Sequence, residues 1–243
     1  MRHGAHVRLT CTPLSAPPGV SDLPIFNDQG QVATALWSHV LSWNSSSGVM
    51  DMQILAPEPI AVPNGEPSEP PAGAIARLTQ AMIGNGGLLM LRNPAAIFGP
   101  ERILFAAGVR LFAITQPADE NCWDTILSHG QPVYGVRGTV ACATRTAHPG
   151  AVISALAYGT FTCEENLAVA KLDESRNGVH WELPTDAETS VIVRDGFEAG
   201  RIAGRSGHWN DKGSESYVRL VMRSVDGCAW TQPRFIAPGV TRA

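Results

Sequence analysis

The tripeptide Arg92-Asn93-Pro94 closes a continuous apolar run, Leu88–Leu91, and so places a guanidinium where a buried strand ends. Side chains at that end of parallel strands line binding sites. A planar guanidinium there can grip a phosphate or a carboxylate through two parallel hydrogen bonds. A second group is His148, in Ala147-His148-Pro149. A His-Pro pair can border a metal site, but proline also suits the first turn of a helix. Helical spacing follows at once over 152–157, so His148 reads as a solvated residue in front of that helix. His129 precedes Gly130 at another helix end, where an imidazolium suits the dipole. Cys142 has no basic neighbour in sequence to hold a thiolate, and reads as a small buried residue. The chain contains no phosphate loop, no GxGxxG, no GxSxG elbow and no HExxH. Gly84-Asn85-Gly86-Gly87 follows a helix and precedes a strand. A phosphate cradle needs the reverse order, so these glycines read as a C-cap and turn.

The elements that must position these groups fall into two stretches. His6–Cys11 alternates as a first strand, residues 12–31 read as loop, Val32–Val40 as a short helix and Val40–Trp43 as a strand. Met50–Ala56 is a strand, and six prolines in 57–73 mark a loop. From about 74 to 170, helical spacing (74–83, 100–107, 120–128, 152–157) alternates with apolar strands (88–91, 109–115, 132–136). That alternation predicts a parallel α/β sheet or barrel. After residue 171 the strands are short and alternating, over 191–194, 217–222 and 235–236, with turns at Asp195-Gly196 and Asp226-Gly227. This second stretch predicts antiparallel β, with Val191, Val193, Val218, Leu220, Met222 and Trp230 on a face that needs covering.

Composition bounds the function. Apolar residues make up 44% of 243, enough for a sizeable core, and the formal net charge is −4 with no basic stripe. That argues against a nucleic-acid partner. Five cysteines, an odd number without a CxxC pair, indicate neither a disulfide framework nor a zinc knuckle. No apolar run approaches the roughly 20 residues that span a bilayer, and the N-terminus lacks the apolar stretch of a signal peptide. The expected setting is the cytoplasm, with no membrane partner.

The order of segments resembles the PHP (polymerase and histidinol phosphatase) domain family of metal-dependent phosphoesterases. The resemblance rests on GGLLMLRNP (86–94), CWDTILSHG (122–130), PVYGVRGTVACA (132–143), ALAYGTF (155–161) and AWTQP (229–233). It implies a distorted (β/α) barrel over 1–170 with a small C-terminal antiparallel β layer over 171–243. It also implies a metal centre that has been dismantled. The family's ligand positions fall on His6 and Arg8, on or near Trp43 and Asn44 with His39 close by, on Asn93, and near Thr139 or Val140 and on Cys142. Glu58 can match an early acid. Arg8 or Arg92 would put positive charge where a metal would sit, and one imidazole, one acid and a thiol do not neutralise several dications. The expectation is therefore a protein without metal or other cofactor that takes a small polar or anionic organic molecule. His6, His39 and Glu58 are the candidate acid–base groups, and Arg8, Trp43, Asn44, Arg92, Asn93 and Cys142 the candidate ligand-binding groups. Its chemistry would be isomerase, cyclase or lyase work. A non-catalytic scaffold and a residual phosphoesterase are the alternatives.

Overall fold

The computed structural model describes residues 6–10, 18–45, 48–63, 69–97, 108–144, 146–175 and 177–236. The chain divides into two compact units. One takes the residues up to Trp123 together with Pro132–Phe161, and the other takes Asp124–Gln131 and the residues from Thr162 onward.

The first unit contains β1 (His6–Thr10), β2 (Gly19–Phe26), β3 (Val32–Ser45), β4 (Gly48–Ala56), α1 (Pro71–Gly84), β5 (Leu88–Leu91), α2 (Pro94–Ile97) and β6 (Leu111–Ala113). The first part of α3 (Pro117–Ser128), then β7 (Tyr134–Val136), β8 (Thr139–Ala143) and α4 (Pro149–Tyr158) complete it. Its strands run in the order β8-β1-β2-β3-β4-β5-β6-β7. Only β5, β6 and β7 pair in parallel; the rest pair antiparallel.

This corrects the expected barrel. The described chain is an open, mixed sheet architecture, 50% strand and 21% helix, rather than a helix-rich (β/α) barrel. The decisive difference lies in residues 32–45. They form one 14-residue strand, not a helix followed by a strand. Leu36, Trp37, Ser38 and Val40 are all buried because both faces of the sheet are covered there. Burial on both faces erases the period of two, and the apolar positions that remain (36, 37, 40, 41) fit a helical stripe equally well. β1 to β4 then form an antiparallel meander, in which no helix among the described residues connects one strand to the next. α1 packs against β4 and β5, and α4 against β3, β4 and β8. The expected helix over 100–107 and Cys11 lie outside the described residues.

Local capping follows the sequence. His148 is the N-cap of α4, its Nδ1 accepting a hydrogen bond from the Gly150 N–H at 3.1 Å, and Pro149 opens the first turn. Gly159 ends the helix at φ 67°, a left-handed C-cap. His129 closes α3 with its ring nitrogen 2.8 Å from the Thr125 carbonyl oxygen.

The strands of the second unit pair antiparallel. It contains most of β9 (Phe161–Glu165), then β10 (Lys171–Ser175), β11 (Gly178–Val193), β12 (Phe197–Asn210), β13 (Tyr217–Arg223), β14 (Cys228–Thr231) and β15 (Arg234–Phe235). The order is β10-β11-β13-β14-β9, with β12 on β11 and β15 on β13. The β11–β12 hairpin turns at Asp195 (φ 56°) and Gly196 (φ 74°), the positive φ values that an Asp-Gly turn supplies. Of the apolar face expected to need a cover, Trp230 stands opposite Val221 and so lies on the other side of the sheet from Leu220 and Met222, while the remaining residues share a core within this unit. Val191, Val193, Val218, Leu220 and Met222 share one core with Leu167, Val169, Val179, Trp181 and Leu183. No helix among the described residues is long and apolar enough to cross a membrane.

Candidate functional site

Strand register decides which of the nominated residues meet. On β2, Arg8 stands opposite Phe26 and His39 opposite Val20. Six residues of strand, about 20 Å, separate those levels. His6 lies two residues further away on β1, and only its backbone is described. Cys142 pairs with Val7 while Arg8 pairs with Ala141, so Cys142 and Arg8 occupy opposite faces of the sheet. Cys142 is fully buried and Arg8 exposed. Glu58 is exposed, two residues beyond Ala56, which stands opposite Trp37. His39 is half-buried, its ring T-shaped to that of Trp37 at 5.7 Å between centroids. The acid–base set His6, His39 and Glu58 is thus spread along the sheet, and the expected single site is not assembled from it.

At the opposite end the register does gather residues. Trp43 pairs with Met50, Asn44 with Val49, and Met52 with Leu91. That brings Trp43, Asn44, Arg92 and Asn93 to the C-terminal end of the parallel strands. The side chain of Asn44 is not among those described. Asn93 is bound into the sheet: its Oδ1 accepts from the Asp51 N–H at 3.1 Å and its Nδ2 donates to the Val49 carbonyl at 3.2 Å. The Arg92 N–H donates to the Asp51 carbonyl at 2.9 Å. Asp51 accepts a short hydrogen bond, 2.6 Å, from the Ser42 hydroxyl. The Arg92 side chain is 3% exposed. Burial lowers its pKa from the ordinary arginine value, and the Asp51 carboxylate opposes that shift. Trp43 lies under Arg77 of α1, whose guanidinium is 5.8 Å from the ring centroid and is held by Glu69 at 2.8 Å. The Trp43 indole N–H is buried with no acceptor among the described residues.

The neighbouring strand end adds a second loop. Asp119, fully buried in the first turn of α3, accepts from the Thr115 N–H (3.1 Å), the Thr115 hydroxyl (2.7 Å), the Gln116 N–H (3.3 Å) and the Ala95 N–H (3.3 Å). One carboxylate therefore caps α3 and also ties down the start of α2, directly behind Arg92 and Asn93. Cys122, one turn on, has its thiol pKa pushed up to about 12 by burial and then by Asp119. The unfolded thiol releases its proton near 9.0, so stability from this group holds below that pH and falls as pH rises toward about 12. Urea melts at pH 8 and pH 10 should show the wild type losing about 1 kcal/mol more than Cys122→Ala; equal losses in the two proteins would remove the effect.

Sequence reasoning missed Ser42, Asp51, Thr115 and Asp119. Two signals were present. Asp51 is the lone charge in the alternating run Val49–Ile54, and Asp119 follows Gln116-Pro117 at the position where a helix start takes an acid. Among the described residues, no three His, Cys, Asp or Glu side chains are gathered closely enough to hold a metal ion. Set against family models, curated proteins and solved structures, the chain matches none of them. The arrangement offers a buried cation beside Asp51 and a rigid, capped loop, while the Trp43 indole, paired with Met50, lies on the other face of the sheet from Ser42 and Asp51. It can fix a polar or anionic group in place.

Proposed function

We propose that this protein binds a small polar or anionic organic molecule at the C-terminal end of β5–β7, as a binding protein rather than a catalyst. The observation that carries the reading is the sorting by register. It collects Asp51, Arg92 and Asn93 at that end, with Trp43 at the same level on the face opposite to Asp51, and leaves Arg8, Glu58 and Cys142 away from it. In open α/β sheets, ligands bind at the carboxyl ends of the parallel strands, and the Arg92 fork suits a carboxylate or phosphate. Asn93 and Asp119 act through the backbone: they hold the loops in which Arg92 sits.

Because Arg92 is buried, the informative substitution is Arg92→Lys, which keeps the charge and loses the planar fork. Calorimetric titration of the full chain with inorganic phosphate, a sugar phosphate and a tricarboxylate should give saturable one-site binding for at least one of them. Arg92→Lys should weaken it by about tenfold or more, 1.4 kcal/mol, with the far-ultraviolet dichroism unchanged. Binding that is equally tight in the folded Arg92→Lys protein removes Arg92 from the site and the reading with it.

A further inference from the structure

The second unit carries an arrangement that the reading above does not use. His180 on β11 and His208 on β12 are direct cross-strand partners. Asp173 on β10 is the partner of His180 on the other side. The three therefore stand in a row across adjacent strands on one face of the sheet. The intervening residues point the other way, into the core: Val179, Trp181 and Leu183 are buried. His208 is exposed and His180 half-buried. Lys171, Glu182 and Ser206 share their face, with Lys171 bridging Asp173 at 3.1 Å and Glu182 at 3.2 Å.

We propose that His180 and His208 form a surface site for a divalent transition-metal ion, filled by Zn2+ or Co2+. Directly opposed residues of an antiparallel pair have Cβ atoms about 4.5–5.5 Å apart. Two imidazole nitrogens at about 2.0–2.1 Å from one tetrahedral ion must lie about 3.3 Å from each other, and side-chain rotation at that Cβ spacing reaches it. Imidazole is a preferred donor for this class of ion. The two imidazoles are the protein donors, since no third His, Cys, Asp or Glu side chain among the described residues stands close enough to join them, and water completes the shell. The platform is rigid because its backbone is fixed from below. Trp181 is fully buried opposite Gly207, where a Cβ would strike the indole ring, and Val179 stands opposite Trp209. Sites carried on strands held in this way are positioned more closely than sites on loops.

The test uses the full chain without a histidine tag. Calorimetric titration with Zn2+ should show one site. His180→Gln and His208→Gln should each weaken it by about tenfold or more, 1.4 kcal/mol, while His148→Asn, which keeps a capping side chain on α4, leaves it intact. Zn2+ should raise the melting temperature of the wild type and of His148→Asn, and not that of His208→Gln. Co2+ should give the visible absorption of an imidazole-ligated ion, lost in both histidine variants. Zn2+ binding and a melting shift that persist unchanged in both His180→Gln and His208→Gln would overturn the proposal, as would a wild type that takes up no Zn2+.

Discussion

Replacing Asp124 by asparagine should lower the stability of the protein by about 3–5 kcal/mol, the cost of leaving a buried charge without its partner. Asp124 lies in α3, and its side chain is 4% exposed; Arg219 of β13 is 1% exposed. The Asp124 Oδ1 accepts from the Tyr217 hydroxyl at 2.6 Å and from the Arg219 Nε at 2.9 Å, and its Oδ2 accepts from the Arg219 Nη2 at 2.6 Å. Asparagine keeps the shape but removes the carboxylate charge, so the buried Arg219 loses its ion pair with Asp124. The same cluster holds the β11–β12 turn. The Gly196 N–H donates to the Tyr217 oxygen at 3.2 Å, and the Asp195 N–H donates to the Ser128 hydroxyl at 2.6 Å. The Tyr217 phenol is held protonated: burial raises its pKa, and Asp124 adds to the rise. The double variant Asp124→Leu with Arg219→Met should recover much of the loss, because it removes both charges together. Urea unfolding of the three proteins decides the matter. A loss below about 1 kcal/mol in Asp124→Asn, the range of exposed pairs, would show that the pair does not hold this unit.

The second large effect is expected at Asp119. Asp119→Ala removes the acceptor of the Thr115, Gln116 and Ala95 N–H groups at a fully buried position. Unsatisfied buried donors cost about 1–3 kcal/mol each, and a helix cap about 1. Water reaching the loop recovers part, so the expected loss is about 2–4 kcal/mol. Asp119→Asn, which retains an acceptor oxygen, should lose about half as much. The consequence extends to binding. Ala95 follows Asn93 by two residues, so Asp119→Ala should weaken the anion binding proposed for Arg92 even at temperatures where the protein stays folded. Thermal unfolding and calorimetric titration on the same samples separate the two effects. An Asp119→Ala protein as stable as wild type would mean that these donors find other acceptors.

The short-range features of this fold were legible in its residues. Pro149 after His148, Gly159 after Tyr158 and the glycines of 84–87 place helix ends through backbone preferences that act within a few residues. Asp195-Gly196 announces its hairpin for the same reason. Leu88–Leu91 reads as a buried strand because nothing polar interrupts it. Even the role of Arg92 as a strand-end cation follows from position alone, although its burial does not.

What tertiary structure decided is pairing. Residues 32–45 carry a pattern that serves a strand covered on both faces as well as a helix, and only β2 on one side and β4 on the other select the strand. Whether alternating strands and helices close into a barrel depends on which edges meet, and no local preference records that. The candidate acid–base residues illustrate the point. Their spacing in sequence is compatible with a shared mouth, yet the register of β1, β2 and β3 sets Arg8 and His39 about 20 Å apart. Asp124 and Arg219 stand 95 residues apart, and so does the reason for the burial of each: a charge enters a core only where its partner enters with it. Such partners are chosen by the packed chain as a whole, and a one-residue change of register would exchange every one of them.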